Sequence, residues 1–232
     1  MRLNKVLGFG LAALLLASMA NFAGAMEMKL GSTVVTLTPP NGQCPLSAET
    51  EPDAAIFEKQ RQLMSGSAKL LAEYLDCDQL AKLRSGNWIF SDYATYTIPW
   101  EAFYKTAPTG IVPKACAVAR TRITDQGLAE IIKKNEANVE RAYEGKIELN
   151  EAKSLGVLAE EPTACYMGQV VKTKARSADK ETLQVIVIAM VQIKDKVFHY
   201  QIYAPYVNSE SVSKLLTKHR ANVAALVSAN SK

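Results

Sequence analysis

The chain has 232 residues, 48% of them hydrophobic, and 27 Lys plus Arg against 23 Asp plus Glu give a formal charge of +4. That is ample for a real core in one large or two small domains. A balance so near neutral gives no reason to expect nucleic acid or an anionic surface as partner.

Arg2 and Lys5 precede an apolar run from Val6 to Ala20, and Ala23-Gly24-Ala25 follows with the small residues that a signal peptidase accepts. This three-part pattern predicts a secretory leader over residues 1-25, cleaved near Ala25. A membrane-spanning helix needs about 20 apolar residues. The run here is shorter and is broken by Gly8, Gly10 and Asn21. The expected product is therefore exported, periplasmic or secreted, and not an integral membrane protein. Its body is residues 26-232, read as a single α+β domain. Loss of Arg2 and Lys5 lowers the charge from +4 to +2.

Cys44, Cys77, Cys116 and Cys165 all lie in that body. An even count in an exported chain favours two disulfides, and three pairings are possible. The sequential pairs Cys44-Cys77 and Cys116-Cys165 close the shorter loops and are the expected ones. No CxxC suggests redox chemistry, and no close Cys/His cluster suggests a metal; neither a metal nor a cofactor is expected.

Ser32 to Thr38 is rich in β-branched residues and is stopped by Pro39-Pro40-Asn41-Gly42, so it reads as a first strand and a turn. Pro52 and Asp53 open an amphipathic helix carrying Ile56, Phe57, Leu63 and Met64, ended by Ser65-Gly66. Ala68 to Leu75 suits a short strand between two breakers, although its residues are good helix formers. Asp76 to Arg84 reads as a short helix with Cys77 on its first turn. Trp88 to Ile98 alternates and is aromatic, a strand signal.

From Trp100 to Pro113 the chain reads as loop. Lys114 to Ala142 is helical with a break near Asp125-Gln126-Gly127, since Leu128, Ile131, Ile132 and Val139 fall at helical spacing. Glu144 to Pro162 has no clear period and reads as connecting structure. Ala164 to Lys174, Glu181 to Ile193 and Val197 to Tyr203 are three strands joined by short polar links, hence an antiparallel meander. Val185 to Val191 is apolar on both parities, so this strand should be covered on each face. Asn208 or Ser209 can cap a last helix whose Val212, Leu215, Leu216, Val223, Leu226 and Val227 form one stripe to lay on the sheet. The fold class is thus α+β: a mainly antiparallel sheet with a C-terminal amphipathic helix packed on it.

The order of these elements over residues 32 to 98 and 164 to 228 resembles the PsbP-like α/β/α sandwich, with a helical insertion at about 113-145. Leu37-Thr38-Pro39-Pro40-Asn41-Gly42-Gln43-Cys44, followed by Asp76-Cys77, is similar to a family of uncharacterised exported proteobacterial proteins. That family lends no activity. The PsbP-like fold mostly hosts accessory and binding proteins, so the resemblance implies a noncatalytic role.

His199 and His219 are the natural general-base candidates. His199 stands between Phe198 and Tyr200 in a strand, and His219 between Lys218 and Arg220 on the last helix. A surface or packing role is the expectation for each. There is no HExxH, GxSxG or GxxxxGK[ST], so no catalytic residue is assigned. Trp88, Phe90, Tyr93, Tyr96, Trp100, Phe103 and Tyr104 form the densest aromatic cluster. Its alternating part should be core, whereas Trp100, Phe103 and Tyr104 follow Pro99 in a loop-like stretch and are the expected binding residues. The function expected is a binding or accessory protein of the bacterial envelope with an envelope protein as possible partner. The alternatives are a periplasmic hydrolase without a familiar signature and a carrier of a small apolar ligand, and the sequence leaves open whether the protein is an enzyme.

Overall fold

The structure, a computed structural model, describes residues 24–86, 91–142, 147–175 and 181–231, with backbone alone at 134–136, 138, 147–150 and 175. All but the last two residues of the expected leader, the start of the aromatic strand at 87–90 and the link at 176–180 lie outside the described residues.

Two strands, β1 (Met26–Leu30) and β2 (Thr33–Leu37), form a small antiparallel sheet. The main sheet has seven strands: β3 (Gln43–Pro45), β4 (Ala68–Asp76), β5 (Tyr93–Pro99), β6 (Ile147–Glu161), β7 (Ala164–Ala175), β8 (Glu181–Ile193) and β9 (Lys196–Pro205). Their spatial order is β3-β4-β5-β9-β8-β7-β6, and every neighbouring pair is antiparallel. Among the described residues there are six helices, α1 (Asp53–Met64), α2 (Cys77–Arg84), α3 (Trp100–Tyr104), α4 (Ile111–Arg122), α5 (Asp125–Ala142) and α6 (Ser209–Ala229). The α+β class with the last helix packed on the sheet is what the sequence pattern predicts.

The β6-β7-β8-β9 meander follows from its turns. Lys194 takes a positive φ of 54° in the two-residue link between β8 and β9, the left-handed geometry that such hairpins favour. On β8, Val185, Val187, Ala189 and Val191 are fully buried against α6, and Ile186, Ile188 and Met190 face the other way. This is why the strand is apolar on both parities. Helices α1, α4 and α5 lie on that second side.

Three stretches differ from the sequence expectation. Glu144 to Pro162, expected as connecting structure, contains the fifteen-residue strand β6. Its pairing with β7 shifts register at Leu149/Glu151, Ser154/Gly156 and Val157/Ala159. Each shift moves the following side chains to the opposite face, so the alternation that marks a strand is lost from the sequence. Trp100 to Pro113, expected as loop, holds α3 and the start of α4. Met26–Leu30, to which no element is assigned from sequence, is β1.

Cys44 is bonded to Cys77 and Cys116 to Cys165. The first joins β3 to the first turn of α2, where the Asp76 carboxylate accepts the backbone N–H groups of Asp78 and Gln79. The second ties α4 to β7 within a small buried cluster of Val112, Ala119 and Met167.

Candidate binding site on helix α3

Pro99 ends β5, and the chain turns directly into the five residues Trp100-Glu101-Ala102-Phe103-Tyr104. So short a helix is not stable by itself, because its last carbonyls have no partners within it. They find one in Lys196. This side chain is 1% exposed, and its Nζ donates to the carbonyls of Lys105 at 2.8 Å and Phe103 at 3.1 Å, with that of Ala102 at 3.5 Å. A cation at the C-terminal end of a helix also meets the negative pole of its dipole. Lys196 comes from the start of β9, more than ninety residues away, and nothing near α3 in the sequence announces it.

The three expected binding residues thus stand on one helix with different exposures. Trp100 and Tyr104, one turn apart, point outward and are 42% and 73% exposed. Phe103 faces inward: it packs against the main core, its ring meets that of Tyr104 edge-on at 4.9 Å, and Lys69 Nζ sits 4.3 Å above it. Phe103 thus anchors the pair from the inner side of the helix. The indole N–H of Trp100 donates to the Ser65 carbonyl at the C-terminal end of α1 at 3.0 Å. The outward aromatic face is held on one side by Lys196 and on the other by α1.

Neither histidine belongs to this site. His219 lies in the core, its Nε2 2.9 Å from the Tyr200 carbonyl and its ring edge-on to Tyr166 and Tyr200. Burial pushes its pKa down to about 3. His199 is half-buried on the opposite face, paired in register with Thr97 and Met190, and burial lowers its pKa. Carboxyl groups sharing that face are those of Glu73, two strands away on β4, and Glu160, three strands away on β6 and paired with Arg120. At about 4.8 Å per strand neither is in contact with His199. No group of three or more His, Cys, Asp and Glu that could hold a metal occurs among the described residues. Nor, among these residues, is any helix long and apolar enough to cross a membrane. A cleft of about 460 Å³ opens at the far end of α6, where Val227 and Ile193 share its wall with Gln192, Lys194, Thr163 and Asn230.

No family model matches the chain, and no curated protein matches it. Among solved structures the Ran-binding protein Mog1p of Saccharomyces cerevisiae is similar over 89% of this chain and 90% of its own, at 14% identity and a TM-score of 0.28. At that score the likeness carries no argument about fold or partner.

Proposed function

We propose that the chain is a noncatalytic binding or accessory protein of the bacterial envelope and that it engages a protein partner through the Trp100/Tyr104 face of α3. The observation that carries the reading is the exposure of two large aromatic side chains on a helix fixed by a buried lysine. Exposed aromatics on a rigid support are the usual anchors of protein interfaces, because little side-chain entropy is lost when they are covered. The two disulfides support an exported product, since such bonds persist in oxidising compartments. Helices on both faces of an antiparallel sheet support the PsbP-like resemblance, whose members are mostly accessory proteins. The hydrolase alternative needs a histidine gathered with carboxylates, an arrangement that neither His199 nor His219 has among the described residues.

Capture from an envelope extract tests it, with the mature protein and a Trp100→Ala/Tyr104→Ala variant immobilised side by side. The expected result is a protein retained by the first and reduced at least tenfold by the second, with the two melting within a few degrees of each other. Identical captured sets would end this reading. So would a strongly lowered melt of Trp100→Ala, which would make the indole a structural residue.

A further inference from the structure

Glu73 is a charged residue type in an apolar position. On β4 the side chains of Ala72 and Tyr74 join the core beneath α6, while Glu73 and Leu75 face α1. Glu73 is 1% exposed, and neither carboxyl oxygen has a hydrogen-bond partner among the described residues. Directly opposite in register on β5 stands Thr95, itself fully buried, whose hydroxyl is also unpartnered. Two adjacent buried polar groups left unmatched in this way are costly, and the cost multiplies if one of them carries a charge.

Among the described residues the surroundings supply no counter-charge. From β3 come Cys44, which is disulfide-bonded, and Pro45, and just after it Leu46, whose N–H donates to the backbone carbonyl of Glu73 and not to its carboxyl. From β5 the same face brings Tyr93 and Thr97, and beyond it β9 brings His199, Gln201 and Tyr203. On α1, Asp53 is bonded to Arg84 of α2, Arg61 is bonded to Glu58, and Lys59 is engaged by another group. On α2, Asp76 caps the helix, and Asp78 and Lys82 complete its charged set. Burial alone pushes the Glu73 carboxyl up to about 8. The residue is therefore neutral where ordinary carboxyls are charged.

We propose that Glu73 is a proton-operated latch for α1: protonated it leaves the helix seated on β4, and once the proton is lost the carboxylate drives the helix off so that water can reach it. The helix is anchored at each end. Its N-terminal end is fixed by Asp53, which accepts from the Ser47 N–H and from Arg84, while its C-terminal end is held by the Trp100 indole on the Ser65 carbonyl. Lifting α1 breaks that last bond and releases Trp100. Alkaline conditions would thus loosen the aromatic face, a consequence that rests on the binding reading given above; the latch itself does not.

Hydrogen exchange of the full mature protein between pH 6 and 10, corrected for the intrinsic pH dependence of exchange, tests the latch without any partner. From pH 6 to 8 the protection of the α1 amides should fall about tenfold per pH unit and then level off above pH 8, while β8 keeps its own, and in Glu73→Gln the α1 protection should stay flat. Flat protection in the unaltered protein overturns the proposal. So does an equal fall in Glu73→Gln, or a fall of β8 in step with α1, which would be global unfolding. Should Glu73→Gln not fold, a carbon-13 titration of the Glu73 carboxyl in the unaltered protein decides: a midpoint above 7 supports the latch and one below 7 removes it. In a Trp88→Phe background, Trp100 emission should shift with the same midpoint; a constant emission removes the coupling to α3. None of these readouts depends on capture, so loss of the latch and loss of the binding reading are separate results.

Discussion

His219 and Glu73 are both buried without the partner that their charged forms need, and they respond to protons in opposite directions. His219 donates from Nε2 to the Tyr200 carbonyl and leaves Nδ1 bare in the core. Its folded pKa of about 3 lies below the ordinary 6.5 because burial disfavours the imidazolium. Between those values the unfolded chain binds the proton and the folded one does not, so stability is lost as pH falls from 6.5 towards 3. Glu73 is raised from 4.5 to about 8. In that window the unfolded chain loses its proton first, so stability is complete below 4.5 and declines as pH rises through 8. The melting temperature should accordingly be highest in mildly acidic solution. His219→Phe keeps the ring contacts with Tyr166 and Tyr200, costs about 1 kcal/mol of hydrogen bond at pH 7.5, and should flatten the acid limb. Glu73→Gln should flatten the alkaline one. Denaturant unfolding at pH 4.5, 6.5 and 9 checks both; parallel curves for variant and parent would refute the assignment concerned.

At the scale of elements, what could be read from sequence was whatever local pattern decides alone. The meander and α6 were legible because alternation, turn residues and a capped apolar stripe all lie within a few residues of one another. Strand β6 was not, since its three register shifts scramble the alternation. Gly168 records the same irregularity from the partner strand: a Cβ there would come within 2.7 Å of Leu158 Cδ1 and 3.1 Å of Leu155 Cβ. The aromatic density around Trp100 pointed to the site, but the helix that sorts Trp100 and Tyr104 from Phe103 depends on Lys196 and Ser65, which no local pattern connects to it. Glu73 was hidden by the ambiguity of Ala68 to Leu75, because a carboxyl marks a buried strand position only after the strand is known. Two consequences belong to this scale. Lys196→Met leaves the Phe103 and Lys105 carbonyls without their donor, and about 1 to 3 kcal/mol of stability should be lost. Proton exchange at α3 should quicken beyond the change elsewhere; a uniform change would mean that Lys196 does not fix the helix. Removing the Cys116–Cys165 bond with a double alanine variant frees a span of 49 residues and should cost about 2 to 4 kcal/mol. An unchanged midpoint in denaturant would show that α4 is held by packing alone.

For the whole molecule the decisive element is α6, since it closes the sheet on one side and also the N-terminal hairpin. Its cap is Asn208, whose side chain accepts from the Glu210 and Ser211 N–H groups while the Ser211 hydroxyl accepts from the Asn208 N–H. From there Leu215, His219, Val223 and Leu226 lie buried on the face formed by β9, β8 and β7. At the helix end, Asn230 presents its side-chain amide to β2 as another strand would: Oδ1 accepts from the Thr36 N–H and Nδ2 donates to the Thr36 carbonyl, both at 2.8 Å. Residues 194 positions apart are joined there. Burying the three fully apolar side chains alone is worth about 5 to 9 kcal/mol at the usual 1.5 to 3 each. A domain of ordinary stability has about 5 to 15 kcal/mol in total. A chain ending at Asn208 should therefore be unfolded or insoluble, because it loses the cover of its central strands together with the clamp on β2. Asn230→Ala separates the two effects: it should melt cooperatively, lose about 1 to 3 kcal/mol, and show faster exchange in β1 and β2 than in β8. Circular dichroism melts and hydrogen exchange of both variants check this. A truncated chain that melted cooperatively at the parent temperature would mean that the sheet is stable without its helix, and the role given to α6 would be lost.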